Sequence, residues 1–129
     1  LNGFKGIVVI DEAYIDFSEQ LTWLERLKGF PNLIITQTLS KAFGLAGIRL
    51  GICYASEEII AILNRIKPPY NVNELTQQKA ISQLEQNELT TQQVEAILQE
   101  REALVKELKF VDYIGPRKDP LFRAYILST

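Results

Sequence analysis

Two short β-branched runs, each closed by a cluster of polar residues, set the terms for this chain. Gly6-Ile7-Val8-Val9-Ile10 leads into Asp11-Glu12-Ala13-Tyr14, and Leu33-Ile34-Ile35-Thr36-Gln37 leads into Thr38-Leu39-Ser40-Lys41. Apolar runs of this length without alternation read as strands buried on both faces, the habit of parallel sheets. Arg49 to Tyr54 alternates well enough for a third strand. Helical patterns lie between and after these runs. Leu21, Leu24 and Leu27 form a stripe over 19–28 with Trp23 beside it, stopped by Gly29 and Pro31. Ser56 is an expected N-cap, with Glu57 and Glu58 in the first turn where the helix dipole favours acids. Ile59, Ile60, Leu63 and Ile66 line the helix that follows, which Pro68-Pro69 ends.

A further helix is expected over Glu74 to Glu85, and a long one over 91–109. The long one has a 3.6-residue apolar face of Val94, Ile97, Leu98, Leu104, Val105 and Leu108, with Arg101 its only polar member. Residues 111–127 read as one or two strands broken by Gly115-Pro116 and Pro120. The order predicts an α/β layer structure, a mostly parallel sheet with flanking helices. The helices from residue 74 and the terminal strand would begin a second layer. No internal repeat or low-complexity segment is found.

Composition narrows the chemistry. Of 129 residues, 47% are hydrophobic and 23% charged, an ordinary globular balance. Fourteen basic against sixteen acidic residues give a net charge of −2, so no electrostatic footprint for nucleic acid or an anionic membrane appears. The apolar runs are far too short to span a bilayer. One cysteine, Cys53, allows no internal disulfide, and in its strand it is expected to be a small buried residue. With no histidine, a His/Cys zinc site and a Ser-His-Asp or Cys-His nucleophile are excluded within the chain, and no metal site is expected. The chain has no methionine and opens in mid-phrase, so it reads as an internal piece of a longer protein.

Two groups could carry chemistry: Asp11-Glu12-Ala13-Tyr14, and Thr38-x-Ser40-Lys41 with Arg49 eight positions on. In open α/β sheets ligands bind outside the carboxyl ends of the strands, so both groups would face one cleft. A lysine in an apolar, glycine-containing loop can have its pKa lowered and serve as a nucleophilic amine. A carboxylate at the neighbouring strand end suits a protonated ring nitrogen. Tyr14 offers a phenol. The Thr38 and Ser40 hydroxyls with the Arg49 guanidinium suit a phosphate. Together these describe pyridoxal 5′-phosphate (PLP). Plainer readings stand beside this one. Thr38 and Ser40 could simply cap the next turn, Tyr14 could be a packed strand-end tyrosine, and Glu12 reads as structural or exposed. Trp23 reads as a core or interface aromatic. Asp11-Glu12 alone would also fit the Mg²⁺-holding strand end of P-loop ATPases, but no G-x-x-x-x-G-K-[ST] lies in the chain.

The stretch from Thr38 to Gly51, with Ser40-Lys41, Gly44, Gly47 and Arg49, resembles the cofactor-lysine segment of fold-type I aminotransferases, and Val9 to Tyr14 resembles their other hallmark, thirty residues upstream. Within them it is most similar to the histidinol-phosphate aminotransferase branch, including the loop Pro69-Tyr70-Asn71-Val72-Asn73. The resemblance runs to about residue 110. It implies that residues 1–70 are the C-terminal part of the PLP-binding large domain. Residues 71–129 would be connecting helices and the start of the small C-terminal α/β domain. It implies that Lys41 holds the cofactor and moves the substrate proton, Asp11 pairs with the ring nitrogen, and Tyr14 hydrogen-bonds the 3-oxygen. Thr38, Ser40 and Arg49 would hold the phosphate. It further implies a cytoplasmic homodimer in histidine biosynthesis, passing an amino group between L-histidinol phosphate and 2-oxoglutarate. Alternatives on the same scaffold are a threonine-phosphate decarboxylase or another amino-acid aminotransferase, and the chain alone could be a silent fragment. The family's substrate-carboxylate arginines would lie beyond Thr129. Gly115 to Phe122 matches its Pro-Ser-x-Ala-Asn-Phe-like run poorly, and Arg123 is not identified as a substrate ligand.

Overall fold

The structure, a computed structural model, describes residues 3–107. The strands expected over 111–127, the end of the long helix and Arg123 lie outside the described residues. Three strands form one sheet: β1 (Val8–Asp11), β2 (Leu33–Thr38) and β3 (Gly51–Tyr54), in the order β1-β2-β3. Three α-helices follow: α1 (Glu57–Ile66), α2 (Glu74–Glu85) and α3 (Asn87–Glu107). The described residues fall into two compact units that divide between Thr90 and Thr91, inside α3.

β1 and β2 pair in parallel from Val8↔Leu33 to Asp11↔Thr36, whereas β2 and β3 pair antiparallel from Ile35↔Tyr54 to Thr38↔Gly51. The sheet is therefore mixed. The β2–β3 connection, residues 39–50, holds only the 3₁₀ turn Ala46–Ile48 and no crossover α-helix, and β3 returns antiparallel. Because side chains alternate, Val8, Ile10, Leu33, Ile35, Ile52 and Tyr54 share one face. Leu33 and Ile35 are wholly buried there. The opposite face is open in this chain: Val9 is 58% exposed, and Cys53, expected to be buried, is exposed. Cys53 stands across from Thr36 and lines an open groove of about 600 Å³ between β3 and α1.

The stripe at Leu21, Leu24 and Leu27 folds as a 3₁₀ helix over Trp23–Gly29 and not as an α-helix from residue 19. Its spacing of three matches the 3.0-residue turn of that helix. Thr22 caps it by accepting from the Leu24 N–H (3.2 Å), and Leu21 is left outside, 76% exposed. α2 spans the expected residues, with Asn73 as its cap accepting from the Thr76 N–H (2.9 Å). Ser56 occupies the N-cap position of α1 with extended backbone, but its hydroxyl makes no cap bond and is buried without a partner. α3 begins four residues before the expected start. Of its apolar stripe Val94 is buried, while Ile97, Leu104 and Val105 are exposed to 39–55%.

The core within residues 3–90 gathers around the segment after β2. Leu39, Leu45 and Ala80 of α2 form a buried cluster, flanked by Phe43, Ile48, Leu50 and Ile52. Replacing Ile35 with alanine is expected to lower unfolding stability by roughly 2–5 kcal/mol, read from urea melts, because its wholly buried side chain has no solvent-facing route to relax.

Candidate functional site

The carboxyl ends of β1 and β2 lie side by side, and both faces of the pair switch from apolar to polar at the same level. On one face Val8/Leu33 and Ile10/Ile35 stack, and continuing the register by one residue brings Glu12 to Gln37. On the other, Val9/Ile34 is followed by Asp11/Thr36. Both polar pairs are hydrogen-bonded. The Gln37 Nε2 donates to Glu12 Oε2 (2.9 Å), and the Thr36 hydroxyl donates to Asp11 Oδ1 (3.3 Å).

Asp11 is exposed, and its Oδ1 also accepts from the Ala13 N–H (3.0 Å). That local turn orients the carboxylate and carries the chain into Tyr14, which precedes the 3₁₀ turn at Ile15–Phe17. Lys41 reaches the same place from β2: its Nζ lies 5.1 Å from the centroid of the Tyr14 ring. A cation over an aromatic face contributes about 0.5–1 kcal/mol at exposed sites, enough to bias where the amine rests.

Lys41 is exposed on a firmly anchored segment. Its neighbours Leu39, Ala42 and Leu45 are all buried. The Leu45 N–H returns to the Leu39 carbonyl (2.9 Å) and the Gly44 N–H to the Lys41 carbonyl (3.0 Å). Gly44 turns the chain at φ +66, where a side chain is disfavoured though space exists for one. The Ser40 N–H donates to the Thr38 hydroxyl (3.1 Å), so Thr38 serves the turn as the plainer reading has it, and both side chains remain half-buried at the strand end.

Arg49 holds the left-handed region at φ 54, unusual for a residue with a side chain. It closes the 3₁₀ turn Ala46–Ile48, and its guanidinium donates to the Ala46 carbonyl (3.1 Å). The structure thus joins Lys41 to Tyr14, Asp11 to Thr36 and Thr38 to Ser40. It leaves Arg49 bonded within its own loop and not to Thr38 or Ser40.

The residue that sequence reasoning underrated is Glu12. It is only 6% exposed. Its carboxylate accepts from the Trp23 N–H (2.7 Å), the Thr22 hydroxyl (2.7 Å) and Gln37. Its place in the alternation, in phase with Val8 and Ile10, was the available signal that it points inward. Trp23 lies tilted by 60° against Phe30 (6.3 Å between centroids), with the Arg26 guanidinium 5.3 Å above it.

Four residues on, Asp16 is held above the usual carboxylate range. Partial burial is the main cause and the negative charge of Glu12 adds to it, while a backbone hydrogen bond opposes both. A raised folded pKa means stability is fullest below the unfolded pKa and is lost as pH rises through the folded one. Asp16→Asn is therefore expected to raise the thermal midpoint relative to wild type at pH 7, with the difference vanishing near pH 3.

Among the described residues no group of His, Cys, Asp and Glu is placed to hold a metal ion, and no helix is long and apolar enough to cross a membrane. Comparison with known proteins places the chain in a family. The model of the family described as aminotransferase class I and II matches residues 1–118, further than the resemblance read from sequence. A histidinol-phosphate aminotransferase of Flavobacterium johnsoniae is 60% identical over 119 residues, 90% of this chain and 34% of the relative. One from Bacteroides fragilis is 48% identical over 130 residues, 98% of this chain and 37% of the relative. The chain thus spans about a third of the length of the curated relatives it matches. Among solved structures, the histidinol-phosphate aminotransferase of Sinorhizobium meliloti in complex with pyridoxal-5′-phosphate superposes with a TM-score of 0.72 at 26% identity. That match covers 78% of this chain and 28% of that one. A decarboxylase from Sulfurospirillum multivorans gives 0.64 at 25% identity, over 80% and 32% of the two chains.

Proposed function

The chain belongs to the aminotransferase class I and II family, and on that premise we propose that it is the part of a PLP-dependent aminotransferase that carries the cofactor lysine. The observation that supports this most is the convergence at one sheet end of an exposed amine, an aromatic phenol and an oriented carboxylate: Lys41, Tyr14 and Asp11. The donor set fits PLP: an amine for its aldehyde, a carboxylate for its ring nitrogen, a phenol for its 3-oxygen. Hydroxyls and a guanidinium suit its phosphate.

When bound, PLP supplies an electron sink for the carbanion formed at the substrate Cα. The chain's residues do the rest. Lys41 would be the amine that holds the cofactor through its aldehyde, and the same amine would serve as the base and acid for the substrate Cα proton. The buried anchors on either side of it limit how far that amine strays. Asp11 keeps the ring nitrogen protonated, and the Thr36 and Ala13 donors on its Oδ1 fix its orientation. Tyr14 donates to the 3-oxygen and supports the Lys41 amine with its ring face. Thr38, Ser40 and Arg49 hold the phosphate, and for this Arg49 must exchange its bond to Ala46 for phosphate oxygens.

The names of the relatives support L-histidinol phosphate as the amino donor of the whole protein; 2-oxoglutarate as the acceptor, a place in histidine biosynthesis, the cytoplasm and a homodimeric assembly are proposed from the family resemblance of the sequence alone. The decarboxylase neighbour favours a second reading, a decarboxylase on the same scaffold, for which the sequence resemblance suggests threonine phosphate as substrate. Assaying the full-length protein for amino transfer from L-histidinol phosphate and for CO₂ release from threonine phosphate separates the two.

Borohydride reduction of the PLP-loaded full-length protein, followed by peptide mapping, is expected to label Lys41, and Lys41→Ala to abolish that label. Asp11→Asn should retain PLP but lose most of the rate. Arg49→Ala should weaken PLP binding by about one to two decades, the loss of a charge-assisted pair of roughly 1.5–3 kcal/mol, in an equilibrium titration. Labelling at another lysine, or normal turnover in Lys41→Ala, would overturn the assignment.

A further inference from the structure

Glu12 is placed where it touches both halves of the candidate site without belonging to either. Its peptide N–H donates to the Thr36 carbonyl (2.8 Å), the last rung of the β1–β2 pairing beside Asp11. Its own carbonyl accepts from the Ile15 N–H (3.1 Å), closing the turn that carries Tyr14. One carboxylate oxygen takes Gln37, next to Thr38 at the end of β2. The carboxylate also takes Thr22 and Trp23, tying in the 3₁₀ segment that leads to β2. A buried carboxylate held by three donors is fixed in one rotamer, because moving it strands polar groups away from water.

We propose that Glu12 is the positioning residue of the site: through its bonds to Gln37, Thr22 and Trp23 it sets the separation between the Asp11 carboxylate and the Lys41 segment. The inference rests on the reading of Asp11 and Lys41 as cofactor residues. Glu12 acts by geometry and not by its charge. A glutamine in its place serves the same partners. Its Oε1 accepts from the Trp23 N–H. Its amide donates to the Thr22 hydroxyl and, with the Gln37 amide turned over, to Gln37 Oε1. Alanine serves none of them and opens a void beneath the strand end.

The test compares Glu12→Gln, Glu12→Ala and Gln37→Met in the full-length, PLP-loaded protein. Displacing a reacting group by about 1 Å costs on the order of a hundredfold in rate. Glu12→Ala is therefore expected to lose about a hundredfold in kcat with little change in KM. The pH at which the visible band of bound PLP changes should rise, because a carboxylate drawn away from the ring nitrogen leaves the ring less positive. Exchange of the Trp23 amide hydrogen should accelerate. Glu12→Gln should restore all three readouts to near wild type, a rescue that a role for the charge itself would not permit. Gln37→Met, which keeps the volume and removes one bond, should show the kcat loss and band shift in smaller degree. It carries the test if Glu12→Ala does not fold.

Unchanged kcat and band position in both Glu12→Ala and Gln37→Met would overturn the proposal, as would failure of Glu12→Gln to rescue. Wild-type protein that takes up no PLP at Lys41 fails the functional reading itself. Wild-type uptake with indifferent variants fails the positioning role alone.

Discussion

The parallel register between β1 and β2 is the constraint from which the rest follows. Once Val8 is opposite Leu33, the strands end level, and residues twenty-five apart in sequence meet in pairs. Burial of Leu33 and Ile35 holds that register. A slip of one residue would turn both side chains to the open face and expose a large fraction of the core. It would also separate Asp11 from Thr36 and Glu12 from Gln37, each of which is a hydrogen-bonded pair. The apolar rungs and the Glu12–Gln37 rung therefore specify the same alignment, one by water exclusion and the other by the cost of leaving a buried carboxylate unpaired.

The three strands of the sheet, α2 and the polar motifs at the strand ends were legible because their signals are local. A β-branched run, a helical stripe with a cap and a motif at a strand end each lie within a dozen residues. What was less legible depends on partners distant in sequence. Glu12 is buried because Thr22, Trp23 and Gln37, ten to twenty-five positions away, supply donors. Without those donors burial of the same carboxylate would be prohibitive. Cys53 sits in its expected strand, yet its exposure follows from what covers that face of the sheet, which β-propensity does not encode. The helix at 23–29 was read with the wrong period, although the three-residue spacing of its leucines was present.

The segment from Leu39 to Leu50 shows how an exposed amine can stand on a rigid base. Leu39, Ala42 and Leu45 enter the core at intervals of three and leave Lys41 outside. α2 completes the base through Ala80, a side chain small enough to let the helix approach the loop closely. The backbone bonds within the loop, from Leu45 to Leu39 and from Gly44 to Lys41, satisfy groups that would otherwise need water. Precision at Lys41 thus comes from apolar contacts that do not involve Lys41.

Arg49 carries a different lesson. Its left-handed backbone costs a residue with a side chain roughly 1–2 kcal/mol, which glycine would recover. The residue best for folding at this position is thus not the residue whose guanidinium the site would use. The backbone at position 49 favours glycine, whereas the proposed phosphate contact needs a guanidinium, so folding and the proposed chemistry ask for different amino acids at one place in the chain.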